Sequence, residues 1–255
     1  GRGEPGAHAI IPRMSILRVA TYNIHKGVQG MGPARRLEIH NLAHAVEQFD
    51  ADIVCLQEVR RHHRKLEKQF TRWPDLDQAG YLSPEGYESV YRTNATTRHG
   101  EHGNALLSRW PVIDTQHSDV SDHRFEQRGL LHVQLLVDGK ELHVVVVHFG
   151  LIHASRERQV QRLGEYIATA VPPGAPLVVA GDFNDWGAQL LRPMAALDLR
   201  TFEGIRLATY PSRLPLLHLD RIFVRGLRPV SAHVPHGRVW SRMSDHLPLI
   251  AELEL

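Results

Sequence analysis

Short apolar runs recur along the chain, separated by polar stretches whose apolar residues fall at helical spacing. LRVATYNIH (17–25) begins with alternating Leu17, Val19 and Thr21 and is rich in β-branched residues, which predicts a strand. Residues 36–49 place Leu37, Leu42, Val46 and Phe49 at roughly helical spacing. ADIVCLQEV (51–59) is a continuous apolar run, the pattern of a buried strand. Further strands are predicted at 87–92, 104–109, 129–137, 141–149, 177–181, 219–224 and 247–255, and Asp138-Gly139 joins two of them as a hairpin. Residues 155–170 read as a helix with Val160, Leu163, Ile167 and Ala168 on one side, stopped by Pro172-Pro173-Gly174. Hairpins mixed with crossover helices predict an α/β protein whose mixed sheets pack in layers. No Pro/Gly-rich linker separates two periodic regions, so residues 14–255 are expected to form one domain. Residues 1–13 (GRGEPGAHAIIPR) are expected to be a leader, an expression remnant or a disordered extension.

Composition narrows this picture. The 255 residues, 42% apolar, suffice for one large domain or two small ones. A formal net charge of +2 excludes a global polycation, so any nucleic-acid contact must come from a local patch. Cys55 is the single cysteine and excludes an internal disulfide. With no transmembrane segment of about 18 apolar residues and no signal-peptide core, a reduced, cytoplasmic monomer is expected.

Polar residues stand where the apolar strands stop. Asn23, Glu58 and His148 close three of them, Asp182 and Asn184 follow LVVAG, Asp220 opens LDRIFV, and Asp245 and His246 precede the last strand. Strand ends gather at one edge of a layered sheet, where ligand sites form. Converging carboxylates repel one another unless a proton or a cation intervenes. Carboxylate and amide oxygens suit Mg²⁺ or Mn²⁺ better than zinc, since neither an HExxH spacing nor a second thiol is present. The chemistry implied is metal-assisted attack of water on a phosphate ester.

TYNIHKG, DIVCLQEV, HGNALLS, VVVHFGL, VVAGDFND, LDRIFV and SDHLPLIAEL follow one another from residue 17 to the end. In that order they resemble the endonuclease/exonuclease/phosphatase, or DNase-I-like, superfamily, and HKG, GDFNDW and HLDRI look most like its small bacterial YbhP type. The resemblance implies a four-layer α/β sandwich, two mixed β-sheets packed face to face with helices outside. It implies Glu58 as the main metal ligand, with Asn23 and Asp245 beside it. Asp182 would orient or deprotonate water, and Asn184 would donate to a phosphoryl oxygen. Asp220 would orient His246, whose imidazolium would stabilise charge on phosphorus. His148 would supply a proton to the leaving oxygen, where some relatives carry tyrosine. Substrate contacts would come from Asn23, His25, Lys26, Arg60 and Asn104. Where abasic-site endonucleases place an aspartate, this chain has His25, which weakens a second metal position and that activity.

Each position also has a plainer reading. Asp182 and Asn184 could form an Asx turn, Asp185 could cap a helix over 188–196, and Asn104 could serve a turn. His148 could be a core histidine, and Arg156 and Arg158 could face water rather than phosphate. RRHHRKLEK (60–68) carries five Lys/Arg against one Glu, either a solvated face or a phosphate-positioning patch. The substrate expected is a phosphate ester, first of all DNA cleaved by a nuclease. A phospholipid or phosphomonoester is the enzyme alternative, and a non-catalytic phosphate-binding module the remaining one. LLRPMAALDL (190–199) and YPSRLPLLHLD (210–220) are the candidates for a membrane-seeking hairpin.

Overall fold

A computed structural model describes residues 15–255; the expectation for residues 1–13 lies outside the described residues. In chain order the strands of the first half are β1 (Ile16–Asn23), β2 (Val28–Gln29), β3 (Arg36–Leu37), β4 (Ile53–His63), β5 (Glu88–Thr97) and β6 (Gly100–Ser108). Those of the second half are β7 (Val112–Asp119), β8 (Gly129–Val137), β9 (Lys140–His148), β10 (Leu177–Asp182), β11 (Asp220–Arg225), β12 (Arg228–His233) and β13 (Leu249–Glu254). The helices are α1 (Ile39–Phe49), α2 (Arg64–Gln69), α3 (Gln78–Leu82), α4 (His153–Ala170), α5 (Leu191–Ala196) and α6 (Trp240–Met243).

One sheet has the order β12-β13-β1-β4-β6-β5 and the other β11-β10-β9-β8-β7. Both are mixed. β1 runs parallel to β4 through the crossover helix α1, and β9 runs parallel to β10 through α4. The sheets face each other across an apolar interior that includes Val19, Ile53, Val144, Val146, Val178 and Ile222. Tyr22 and Leu56 pack outward against Leu42, Val46 and Phe49 of α1. Val145 and Val179 pack outward against Val160, Leu163 and Ile167 of α4. Helix, sheet, sheet and helix make the four-layer α/β sandwich. Burial of the central strands on both faces explains their continuous apolar runs.

Parallel pairing decides where the chemistry collects. Parallel neighbours end at the same edge, so Asn23 sits across from Gln57, and Asp182 from His148. The antiparallel β11 begins at Asp220, paired with Asp182. β13 starts opposite Thr21 and brings the preceding Asp245 and His246 to the end of β1.

Several elements differ from the periodicity-based expectation. Arg36 and Leu37 pair with Gln29 and Val28 instead of starting α1. β4 runs on to His63, because Val59 and Arg60 continue the ladder with β6. β7 and β12 carried no apolar signal, since both are sheet edges with mostly exposed side chains. LLRPMAALDL is not a protruding hairpin: Leu190, Met194 and Leu199 are buried in the layer beneath α4.

Candidate active site

Asn23, Glu58, His148, Asp182, Asn184, Asp220, Asp245 and His246 meet at the shared edge of the two sheets. Local backbone geometry aims several of them. Glu58 sits in β4 with φ +54, inside an irregularity between Leu56 and Val59. An extra residue in a strand bends it and redirects a side chain. His25, Lys26 and Gly27 carry φ of +46, +60 and +70 in succession, a left-handed turn that folds the HKG segment back over Glu58. Gln78 holds this turn, donating to the Lys26 carbonyl at 2.9 Å and accepting from the Arg60 N–H at 2.8 Å.

Asp182 is the hub and only 1% exposed. Its Oδ2 accepts from Asn23 Nδ2 at 3.0 Å and lies 3.5 Å from His148 Nε2 and 3.6 Å from His246 Nε2. Its Oδ1 accepts from the Asn184 N–H at 2.9 Å. Burial raises its pKa above the usual carboxylate value, and the nearby Asp220 charge adds to this. Asp220 Oδ2 lies 2.7 Å from His246 Nδ1 and accepts from Thr209 Oγ1 at 2.6 Å. Burial opposes a charge on His246, but Asp220 and Asp182 outweigh it and raise its pKa, so the imidazolium persists at neutral pH.

Burial, with Arg128 nearby, lowers the pKa of His148 well below 6.5. At neutral pH it is a hydrogen-bond donor or acceptor and not a charged acid. Asn184 Nδ2 donates to the Phe149 carbonyl at 2.8 Å, fixing the loop after β10 and leaving its second amide N–H for another acceptor. Asp185 accepts from the Gln189 and Leu190 N–H groups at 2.9 and 3.0 Å, the capping role, placed in the turn before α5. Arg156 donates to the Gly150 and Leu151 carbonyls and Arg158 pairs with Asp122, so neither cation faces the site free.

Asn104 lies in the interior. It is fully buried, and its Nδ2 donates to the Gly129 and Val146 carbonyls of the opposite sheet at 3.1 and 3.2 Å. This tie between sheets replaces the expected phosphate contact. Asn104→Ala should lower stability by about 2 kcal/mol in denaturant melts, with turnover per folded molecule little changed.

A divalent cation would find its oxygen donors around Glu58. Glu58 Oε2 is buried with no hydrogen-bond partner, while Lys26 Nζ stands 3.3 Å away. Burial opposes its charge, but the nearby Lys26 and His25 charges and the Asn23 hydrogen bond hold the carboxyl below the usual range. His25 Nδ1 lies 4.0 Å from Glu58 Oε2 and 3.2 Å from Asp245 Oδ1, linking the two carboxylates. Glu58 and Asp245 are hard oxygen donors that fit Mg²⁺ or Mn²⁺. Asn23 fits less well as a ligand: its Nδ2 faces Glu58 Oε1 at 3.2 Å and Asp182, and its oxygen accepts from the His25 N–H at 3.0 Å. Asp182, Asp220 and His246 also place three donor atoms within 4.8 Å of one another, but a hydrogen bond already joins two of them.

The model of the endonuclease/exonuclease/phosphatase family matches residues 20–246. The chain belongs to this family. It is 39% identical to YbhP of Escherichia coli K12 over 93% of this chain and 96% of that protein. The fold is shared with a mannosyl-6-phosphatase of Bacteroides thetaiotaomicron, with a TM-score of 0.71, 19% identity and 93% and 99% of the two chains covered. It is also shared with D. rerio TDP2 complexed with a single-strand DNA product, with a TM-score of 0.66, 16% identity and 94% and 100% covered. Three residues that sequence reasoning did not single out support this cluster. Thr209 holds Asp220, and Tyr210 packs on His246 with ring centroids 5.0 Å apart. Ser244 Oγ donates to the Asn23 carbonyl at 2.6 Å, tying the SDH turn to β1. The ATYPS segment gives no spacing signal for Thr209 or Tyr210, whereas Ser244 opens the SDH motif and only its role was missed.

Proposed function

We propose that the protein is a divalent-metal-dependent phosphodiester hydrolase acting on nucleic acid, with DNA as the first substrate to test. The observation that carries this reading is the hub of Asp182 between Asn23, His148 and His246, beside a buried Glu58 oxygen that makes no hydrogen bond and has the Lys26 ammonium 3.3 Å away. Asp182, an acceptor with a raised pKa, holds a water and takes its proton. His246, kept charged by Asp220, stabilises the negative charge that grows on the phosphoryl group. Neutral His148 donates a hydrogen bond to that group. The chemistry supplied by Mg²⁺ or Mn²⁺ bound at Glu58 and Asp245 is neutralisation of phosphate charge.

A nucleic-acid substrate carries further phosphates, and the basic run splits in a way that suits one of them. Arg60 and His63 join His25, Lys26 and Arg35 around a cavity of about 280 Å³ next to Glu58. Arg60 Nη1 is buried without a hydrogen-bond partner. Arg61 and His62 point the other way, near Glu101. Arg60→Ala should therefore raise KM for oligonucleotides about tenfold or more, while Arg61→Ala has a much smaller effect. Equal effects of the two would remove the argument for a second phosphate subsite.

A second reading rests on exposed apolar groups beside His246. Trp186 is 46% exposed and packs on Tyr210, and Leu214 and Leu216 are 65% and 58% exposed. Such a rim suits a lipid phosphodiester. A panel of plasmid, single-stranded DNA, RNA, bis-p-nitrophenyl phosphate, sphingomyelin and cardiolipin, each with Mg²⁺, Mn²⁺ or EDTA, separates the readings. DNA cleavage abolished by EDTA is expected; lipid turnover with intact DNA would transfer the assignment to lipid, and binding without any turnover would leave a non-catalytic module.

A further inference from the structure

A second groove lies on the opposite face of β11. Asp220 and Arg221 are consecutive strand residues, so their side chains point to opposite faces. Asp220 faces His246, while Arg221 lines a groove of about 560 Å³ between the sheet, α5 and residues 199–205. This volume lies in the range of small-molecule sites, about 300–1,000 Å³. Its walls are apolar: Leu191, Ala195, Leu199, Phe202, Ile205 and Phe223. Leu199 and Phe223 form the buried floor, and Leu191 and Ile205 stand at the exposed rim.

Arg221 is only 4% exposed, yet no carboxylate comes within ion-pair distance of it among the described residues. The Asp185 charge is felt at a distance, but both its oxygens accept from the backbone N–H groups of Gln189 and Leu190. Arg221 Nε has no hydrogen-bond partner. Its Nη1 lies 3.2 Å from His218 Nδ1. A guanidinium only donates, so Nδ1 must accept and the neutral ring carries its proton on Nε2. Burial, and then Arg221 itself, push the His218 pKa down to about 3, which keeps the ring neutral. His218 Nε2 is also buried without a partner. A buried cation without a carboxylate partner therefore lines an apolar groove, a costly arrangement. At the rim, Arg200 and Glu203 offset each other, leaving the groove positive by the charge of Arg221.

We propose that this groove binds a single-chain amphiphilic acid, its carboxylate on Arg221 and its alkyl chain along Leu191, Leu199, Phe202 and Phe223. The carboxylate supplies the missing acceptor in bidentate geometry, and the chain covers apolar surface at the rim. This inference is independent of the phosphoesterase reading.

Calorimetric titration of the full chain with n-decanoate below its micelle concentration tests the proposal. Decanoate should bind, with acetate and decyltrimethylammonium at least about tenfold weaker, because one lacks the tail and the other inverts the head. Arg221→Met keeps an apolar stem and should lose about tenfold or more in affinity. Ala195→Phe, on the exposed side of α5, fills the groove and should lose binding without touching the cation. Equal binding by wild type and Arg221→Met, comparable binding of decyltrimethylammonium, or no decanoate binding by folded wild type would overturn the assignment. If Arg221→Met shows no cooperative melt, Ala195→Phe decides, and undiminished decanoate binding by that variant also overturns it.

Discussion

Asp182→Asn is expected to cut hydrolysis by about 10³-fold while the protein still unfolds cooperatively. Asparagine keeps the shape and an acceptor for the Asn184 N–H, so the loop after β10 should hold. It cannot take a proton from water, and it removes one of the two carboxylates that keep His246 charged. Stability should not fall in parallel. The folded pKa of Asp182 is raised by burial, so the stability it contributes as a neutral acid is full below the unfolded value. That contribution is lost as pH rises through the folded value. At neutral pH the ionised group therefore opposes folding; the neutral amide relieves that cost, which offsets the loss of the hydrogen bond from Asn23. The same shift predicts that the acid limb of the kcat/KM profile lies above the ordinary aspartate value of about 3.9. Turnover near the wild-type rate in the variant, or an acid limb near 4 in the wild type, would remove Asp182 from the role of base.

Gly181→Ala should disrupt the edge from which Asp182 and His148 leave the sheet. A Cβ at this position would overlap the Val147 carbonyl oxygen, which belongs to the backbone of the neighbouring parallel strand and cannot rotate away. β10 and β9 would have to separate where Asp182 and His148 leave the sheet. The expected cost is about 3 kcal/mol or more, a fall in Tm of about 6–12 °C for a chain of this size. Thermal scans with and without Mg²⁺ measure it. A variant melting within about 2 °C of wild type would show that the strands can part without loss.

Much of the fold could be read in the chain because its central strands are buried on both faces. LRVATYNIH, ADIVCLQEV, ELHVVVVHF and LVVAG announce themselves as apolar runs, and the polar residues that stop them mark the edge. β7 and β12 could not be read because an edge strand with exposed side chains leaves no apolar signature. Of the residues singled out, Glu58, Asp182, Asp220 and His246 lie together, whereas Asn104 lies inside as a tie between sheets. RRHHRKLEK looked like one basic patch, but strand alternation sends Arg60 and Arg61 to different sides.

Sequence by itself determined the layered α/β class, the family, and the set of acids, amides and imidazoles at strand ends. These follow from local composition: apolar runs specify buried strands, and a motif needs only residue types in order. Tertiary structure alone decided the partners and charge state of each group, because both depend on neighbours remote in sequence. Burial beside Arg128 leaves His148 neutral, and Asp220 with Asp182 keeps His246 charged at equal depth. The same adjacency, Thr209 behind Asp220 and Ser244 behind Asn23, completes a site that no spacing along the chain could announce.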